Sequence, residues 1–391
     1  MFAVLSPARK LIARTGAILA LAALAACGDV AMPRMTAGPS IDTSKPVPVA
    51  LLVPRSEPGA ASVARALENA ARLAIADLGD VKVDLRVYDT AGQPDQAAAQ
   101  AQAAVDNGAR IILGPLFAEA ANAAGVAVAD EGVNVLAFSN NTSIAGGNVF
   151  VLGQTFDNTA RRLVSYAARQ GKRRAVVAHP NNVEGQMGLA AINRAAAGSG
   201  LTVAGAESFV FSQQGVIDAV PRIKGTVEST GADMLMLTSN TAGALPLLVQ
   251  LLPEAGLTPS QVQYAGLARW DVPPQTLELA GVQGGWFTMP DQGAIRSFES
   301  RYQATYGSAP HQLAGLAFDG IAAIGALVKA GKADALTAGA LTQSAGFQGV
   351  GGVFRLRPDG TNERGLAVAT IRDKKVVILD PAPRSFGGAG F

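Results

Sequence analysis

Cysteine is almost absent. Cys27 is the single thiol in 391 residues, so no disulfide can form within the chain and stability must come from a large apolar core. Histidine is nearly as scarce: His179 and His311 lie far apart, and with one cysteine they are too few for a zinc centre. No G-x-S-x-G elbow, Walker sequence or G-x-G-x-x-G fingerprint occurs, so hydrolase, nucleotide and dinucleotide chemistry have no motif behind them. The glycine pairs in "GVGG" and "GGAGF" lack the strand–turn–helix setting such loops need. Charge is sparse at 16%, whereas apolar residues make up 49%, which excludes a disordered chain. These absences point to a protein that binds, with no catalytic residues and no cofactor.

The leading segment explains the lone thiol. Arg9, Lys10 and Arg14 precede an uncharged run, residues 15–26, rich in Ala, Leu and Ile. A dozen residues are too few to span about 30 Å of hydrocarbon. They have the length and flanks of a secretory signal. "LAAC", ending at Cys27, resembles a bacterial lipobox, which implies cleavage after residue 26 and lipidation of Cys27. Two or more acyl chains would anchor the protein to a membrane. Removing the three leader cations leaves 29 basic against 30 acidic side chains, so no basic excess argues for nucleic acid. Gly28 follows the Cys where inner-membrane retention would favour Asp, which points to the periplasmic face of the outer membrane. Residues 27–46, rich in Pro, Gly, Ser and Thr, are expected to form a flexible tether.

From residue 47 short apolar runs alternate with Ala-rich amphipathic stretches. Strands are expected at 47–53, 81–88, 110–113 and 134–138, with helices at 60–78, 94–107 and 118–130 between them. In 60–78, Val63, Leu67, Ala70 and Ala74 share one face, while Arg65, Glu68, Asn69 and Arg72 mark the other. The pattern restarts with helices at 158–170, 186–197, 216–229 and 242–252 and strands at 174–178, 202–209, 233–237, 262–267 and 284–289. Helices at 294–306 and 313–329 follow. Short runs at 352–356, 366–371 and 376–379 read as an antiparallel meander. The fold class is therefore α/β, with two parallel, helix-flanked sheets.

In such sheets ligands sit beyond the carboxyl ends of the strands. The residues there include Ser56 in "RSE", Leu116 and Phe117 after Gly114-Pro115, and Ser139, Asn140 and Thr142 in "SNNT". In the second half they are Asn182 after His179-Pro180, Ser239 and Asn240 in "TSNT", and Trp270-Asp271. Hydroxyls, amides and helix-start N–H groups suit a carboxylate. The same residue types also serve as ordinary N-caps.

"DTAGQPDQAAAQAQAAVDNGARIILGPLFAEAA" followed by "GVNVLAFSNN" resembles the first lobe of type I periplasmic binding proteins of the Leu/Ile/Val-binding kind. "AFDGIAAIGALVKAG" and "GVGGVFRLRPDGTNERGLAVATIRDKKVVIL" are similar to the family's late helix and terminal β segment. The resemblance implies a two-lobed Venus flytrap crossed by three strands. Lobe one would comprise 47–155 plus 289–332 and lobe two 156–288 plus 333–380, with a tail at 381–391. It also implies a carboxylate site through Ser139 and Thr142, with Asp271 the best-placed acceptor of an ammonium. Leu116 and Phe117 stand where amino-acid binders carry a small hydroxyl, and Gly185 stands at the place of an aromatic lid. "GPLF" and "VLAFSNN" are similar also to the C-terminal domain of outer-membrane lipoproteins that activate penicillin-binding proteins. Two functions follow as expectations. The first is a lipid-anchored activator that contacts a penicillin-binding protein. The alternative is a receptor delivering an amino-acid-like solute to an ABC permease.

Overall fold

The computed structural model describes residues 38–386. The leader, Cys27 and most of the expected tether lie outside them. The remainder of that segment is no free tether. Ile41 donates its N–H to Ala333 O and is buried in the first core.

The first sheet holds β1 (Val47–Val53), β2 (Val83–Asp89), β3 (Ile111–Leu113), β4 (Val135–Ala137) and β5 (Val149–Val151) in the order β2-β1-β3-β4-β5, all parallel. From Val49 to Val53, β1 is fully buried, as a central strand covered on both faces must be. Helix α1 (Ala61–Ala76) buries Leu67, Ala70, Ala71 and Ala74 on one face of the sheet. The opposite face is covered by α2 (Pro94–Asp106) and α3 (Ala118–Ala127) through Ala101, Ala104, Ala121 and Ala124. The small alanines let these helices lie close to the strands.

The second sheet holds β6 (Arg174–Pro180), β7 (Thr202–Phe209), β8 (Met234–Leu237), β9 (Gln263–Gly266) and β10 (Trp286–Met289), parallel in the order β7-β6-β8-β9-β10. Helices α4 (Phe156–Arg169) and α5 (Val183–Ala196) pack on one face, α6 (Gln213–Thr230) and α7 (Leu245–Glu254) on the other. Thr155 and Asn158 form a reciprocal capping box that starts α4 at the end of the passage from β5.

Helices α8 (Gln292–Tyr306), α9 (Ala314–Lys329) and the short α10 (Ala338–Leu341) return to the first core, where Phe298, Ile321, Ile324 and Leu341 are buried with Leu51 and Leu67. The expected terminal meander is instead divided between two sheets. β11 (Phe347–Gly349), β12 (Gly352–Leu356) and β13 (Asn362–Arg364) form a three-stranded antiparallel sheet. β14 (Ala367–Arg372) extends the second sheet antiparallel to β10, and β15 (Lys375–Asp380) pairs antiparallel with β14, which makes that sheet mixed. Ala335, Leu341, Phe347, Phe354 and Leu356 are buried in the first core, although they fall in the stretch that the resemblance places in the second lobe. Past β15, Phe386 lies under the Arg355 guanidinium, 4.4 Å from ring centroid to Cζ.

This is the two-lobed α/β Venus-flytrap fold. Buried residues change from the first core to the second between Leu152 and Ala160, back to the first between Met289 and Phe298, and to the second again between Leu356 and Ala367, which makes three passages. Asn362 Nδ2 ties the first and third passages together by donating to Val151 O and Gly153 O, both at 2.8 Å, and Arg364 Nε donates to Leu152 O at 3.1 Å. Among the described residues no helix is long and apolar enough to cross a membrane.

Candidate functional site

Strand order places the site. In the first sheet β1 is followed by β2 on one side and flanked by β3 on the other. The connections after β1 and β3 therefore diverge to opposite faces and leave a crevice at the strand tips. The second sheet repeats the arrangement between β6 and β8.

In the first lobe, Asp89 at the end of β2 fastens the β1 tip. Its Oδ1 accepts from Arg55 N at 2.8 Å, Ser56 N at 3.2 Å and Ala91 N at 2.9 Å. Burial pushes this carboxyl upward, but the N–H donors outweigh it and hold the pKa below the ordinary carboxylate value. Gly114 is obligatory at the β3 tip. Its φ is +91°, and a Cβ there would lie 2.1 Å from Leu52 O. Beyond it, Leu116 packs against the first core, whereas Phe117 stays 41% exposed. At the β4 tip Ser139 is buried, and its Oγ accepts from Asn141 N at 3.1 Å. Asn140 is exposed. Thr142 is partly exposed and opens a single 3-10 turn capped by Asn141.

In the second lobe the expected residues take different roles. Asn182 caps α5, its Oδ1 accepting from Gly185 N at 2.8 Å. Gly185 is held by packing: a Cβ there would lie 2.0 Å from Pro180 O, so no lid side chain fits at this position. Ser239 is buried with no partner for its Oγ among the described residues, as is Thr238 for its Oγ1. Asn240 donates from Nδ2 to Glu184 Oε1 at 3.1 Å, while its Oδ1 is unpartnered. These orphaned atoms at the β8 tip are the groups that a bound solute or water would satisfy.

Two expectations need correcting. Trp270 has no exposed surface and stacks on Phe287 inside the second core, so its ring presents no face to a ligand, and its Nε1 has no partner among the described residues. Asp271 is not free to receive an ammonium. Its Oδ1 accepts from Arg269 Nε at 2.9 Å, and Arg269 Nη2 bonds the other oxygen. The i, i+2 spacing of Arg269 and Asp271 was the available signal for this pair. His179 is buried beside Pro180 O.

The structure adds groups that residue types alone did not single out. Phe211, in the loop after β7, is 59% exposed and borders Gly243 beside Asn240 Oδ1. Val183, Val210 and Val272 are likewise exposed at the tips of this lobe, giving it an apolar rim. Glu57 and Gly92 join Phe117 in the first lobe. An open depression of about 590 Å³ lies at the opposite edge, lined by Gln283, Ile371 and Arg372. Its Lys374 and Glu278 pair with each other at 2.5 Å. Among the described residues no three His, Cys, Asp or Glu side chains are grouped to hold a metal ion.

The sequence profile of the periplasmic binding protein family matches residues 46–375. A comparison with curated proteins found no match. Among solved structures, a provisionally assigned branched-chain amino acid ABC transporter protein from Rhodospirillum rubrum is similar with a TM-score of 0.73 and 20% identity, over 86% of this chain and 100% of that one. A branched-chain amino acid ABC transporter periplasmic ligand-binding protein from Burkholderia xenovorans gives 0.65 and 20%, over 86% and 96%. An ABC transporter substrate-binding protein from Sphaerobacter thermophilus gives 0.67 and 17%, over 88% and 100%. These matches overturn the expected activator of a penicillin-binding protein, because the likeness runs over essentially the whole length of transport proteins.

Proposed function

The chain belongs to the periplasmic binding protein family, and from that premise we propose that it is the substrate-binding component of an ABC importer for a small amino-acid-like solute. The observation that carries this reading is the pairing of two crevices, each at the point of a parallel sheet where the strand order reverses, in lobes joined by three passages. Ser139 and Thr142 at the β4 tip, with the orphaned Ser239 and Asn240 at the β8 tip, supply polar contacts from both sides. A solute bridging them favours the closed arrangement by its differential affinity for it. The partner is then a permease, and the role is binding without chemistry.

Lipid attachment at Cys27 is part of this proposal and rests on Leu24–Cys27 in the sequence. Delivery to a permease requires the anchored protein to act at the inner membrane, against the preference drawn from Gly28. Intact-mass measurement of the mature protein tests the anchor: two or three acyl chains on a chain beginning at Cys27 support it, and an unmodified N-terminus refutes it.

Titration calorimetry against the common L-amino acids tests the receptor. Saturable one-to-one binding, weakened about tenfold or more by Ser139→Ala, supports it. No heat from any solute, or equal affinity in the variant, counts against it.

A further inference from the structure

Three loops of the first lobe converge beside the crevice. Glu57 lies between β1 and α1, Gly92 between β2 and α2, and Phe117 between β3 and α3. Glu57 Cγ and Phe117 Cε2 each lie 3.2 Å from the point where a Cβ on Gly92 would sit. Gly92 has φ +72°, so the position favours glycine, and a side chain there would press on both the Glu57 stem and the Phe117 ring.

The charges around Glu57 are otherwise spent. Arg55 reaches back to Glu68 at 3.6 Å, and Arg72 takes the same carboxylate at 2.8 Å. Asp89 is consumed by backbone N–H groups. Glu57 itself is half-buried, and among the described residues its carboxylate has no ion-pair or hydrogen-bond partner. The Glu57 oxygens lie 3.3 and 3.4 Å from the point where a Cβ on Gly59 would sit, so the carboxylate faces its own loop while its stem lies near the exposed Phe117 ring. A half-buried, unpaired carboxylate attracts a cation through its charge, and the neighbouring ring adds its quadrupole. In the second lobe Arg269 neutralises Asp271, and Glu184 already accepts from Asn240 Nδ2 at 3.1 Å.

We infer that Glu57, with the ring of Phe117, receives the alkylammonium group of the ligand, so the first lobe binds the cationic end as well as the anionic one. The inference rests on the receptor reading above and narrows its ligand to solutes carrying a positive charge. Neighbouring strands lie about 4.8 Å apart, which places the β4 tip about 10 Å from the β1 tip. A small zwitterion reached by the Glu57 and Ser139 side chains fits that span.

The test is calorimetry on the full chain with matched probes: L-leucine against 4-methylpentanoate, 4-aminobutyrate against butanoate, the remaining L-amino acids, and choline. The expected result is that an ammonium-bearing probe binds and its deaminated counterpart is at least about tenfold weaker. Glu57→Gln should cause a similar loss, Glu57→Asp a smaller one, and Phe117→Ala a measurable one, with the ligand-free thermal midpoints unchanged. A bound probe whose affinity is indifferent to Glu57→Gln, or a deaminated probe that binds equally well, overturns this inference and leaves the receptor reading intact. Failure of every probe on the unmodified protein tells against the receptor reading and takes this inference with it.

Discussion

Arg364 Nη1 lies 2.9 Å from Asp319 Oδ2, an ion pair that joins β13, at one passage between the lobes, to α9 in the first core. Asp319 has no exposed surface. Burial pushes its carboxyl pKa upward, opposed by the Arg364 charge and by the Val350 N–H, which donates to Oδ1 at 2.7 Å. Gly349 is part of the same device, since a Cβ there would lie 2.4 Å from Asp319 Oδ1. The pair holds the return of the chain in one position, from which β14 enters the second sheet.

Removing one member leaves the other buried without its counter-charge. Asp319→Ala is predicted to destabilise the protein by about 3–5 kcal/mol, read from urea unfolding. Asp319→Asn keeps an acceptor for Val350 and should cost less. Equal stability of Asp319→Ala and the unmodified protein would remove this pair from the account.

Trp270 fills a slot made by two glycines. A Cβ on Gly266 would lie 2.1 Å from its Nε1, and one on Gly285 2.1 Å from its Cζ3. Gly266→Ala or Gly285→Ala is predicted to cost about 1–3 kcal/mol by overpacking, with altered tryptophan fluorescence in the native state. Unchanged stability in both variants would mean that the ring has room to move.

Asp89 gives a pH signature. Its folded pKa lies below the ordinary 3.8, so its contribution to stability is fully present above that value and is lost as pH falls through the folded pKa. Asp89→Asn should therefore be less stable than the unmodified protein at pH 7, and the difference should shrink as the medium is acidified below about pH 3.8. A difference that stays constant across that range would assign the effect to lost hydrogen bonds alone.

The elements most legible in the sequence are those whose burial is written as a local pattern. The continuous apolar run of β1 and the 3.6-residue period of α1 both marked their elements within a residue or two. β5, β11 and β13 have three residues each and went unread, whereas β3 and β4, equally short, were marked by their place between helical stretches in the repeating strand–helix order. The division of the terminal segment between two sheets depends on β14 pairing with β10, about 80 residues away, which no local pattern records. For the site, the tips were legible because strand ends in a parallel sheet are legible. The partners of the tip residues were not. Trp270 and Asp271 stand at a tip in the sequence, yet two close glycines draw the first into the core and Arg269 claims the second. Glu57 and Phe117, 60 residues apart in the chain, both come to lie beside a glycine that belongs to neither loop only once the sheet has formed.

The central claim is a hinged pair of lobes that closes on a solute, and small-angle X-ray scattering of the full chain with and without a saturating probe found by calorimetry tests it most directly. The account predicts a smaller radius of gyration in the presence of the solute, with the change lost in a variant that no longer binds. A radius unchanged by a solute that demonstrably binds would contradict it.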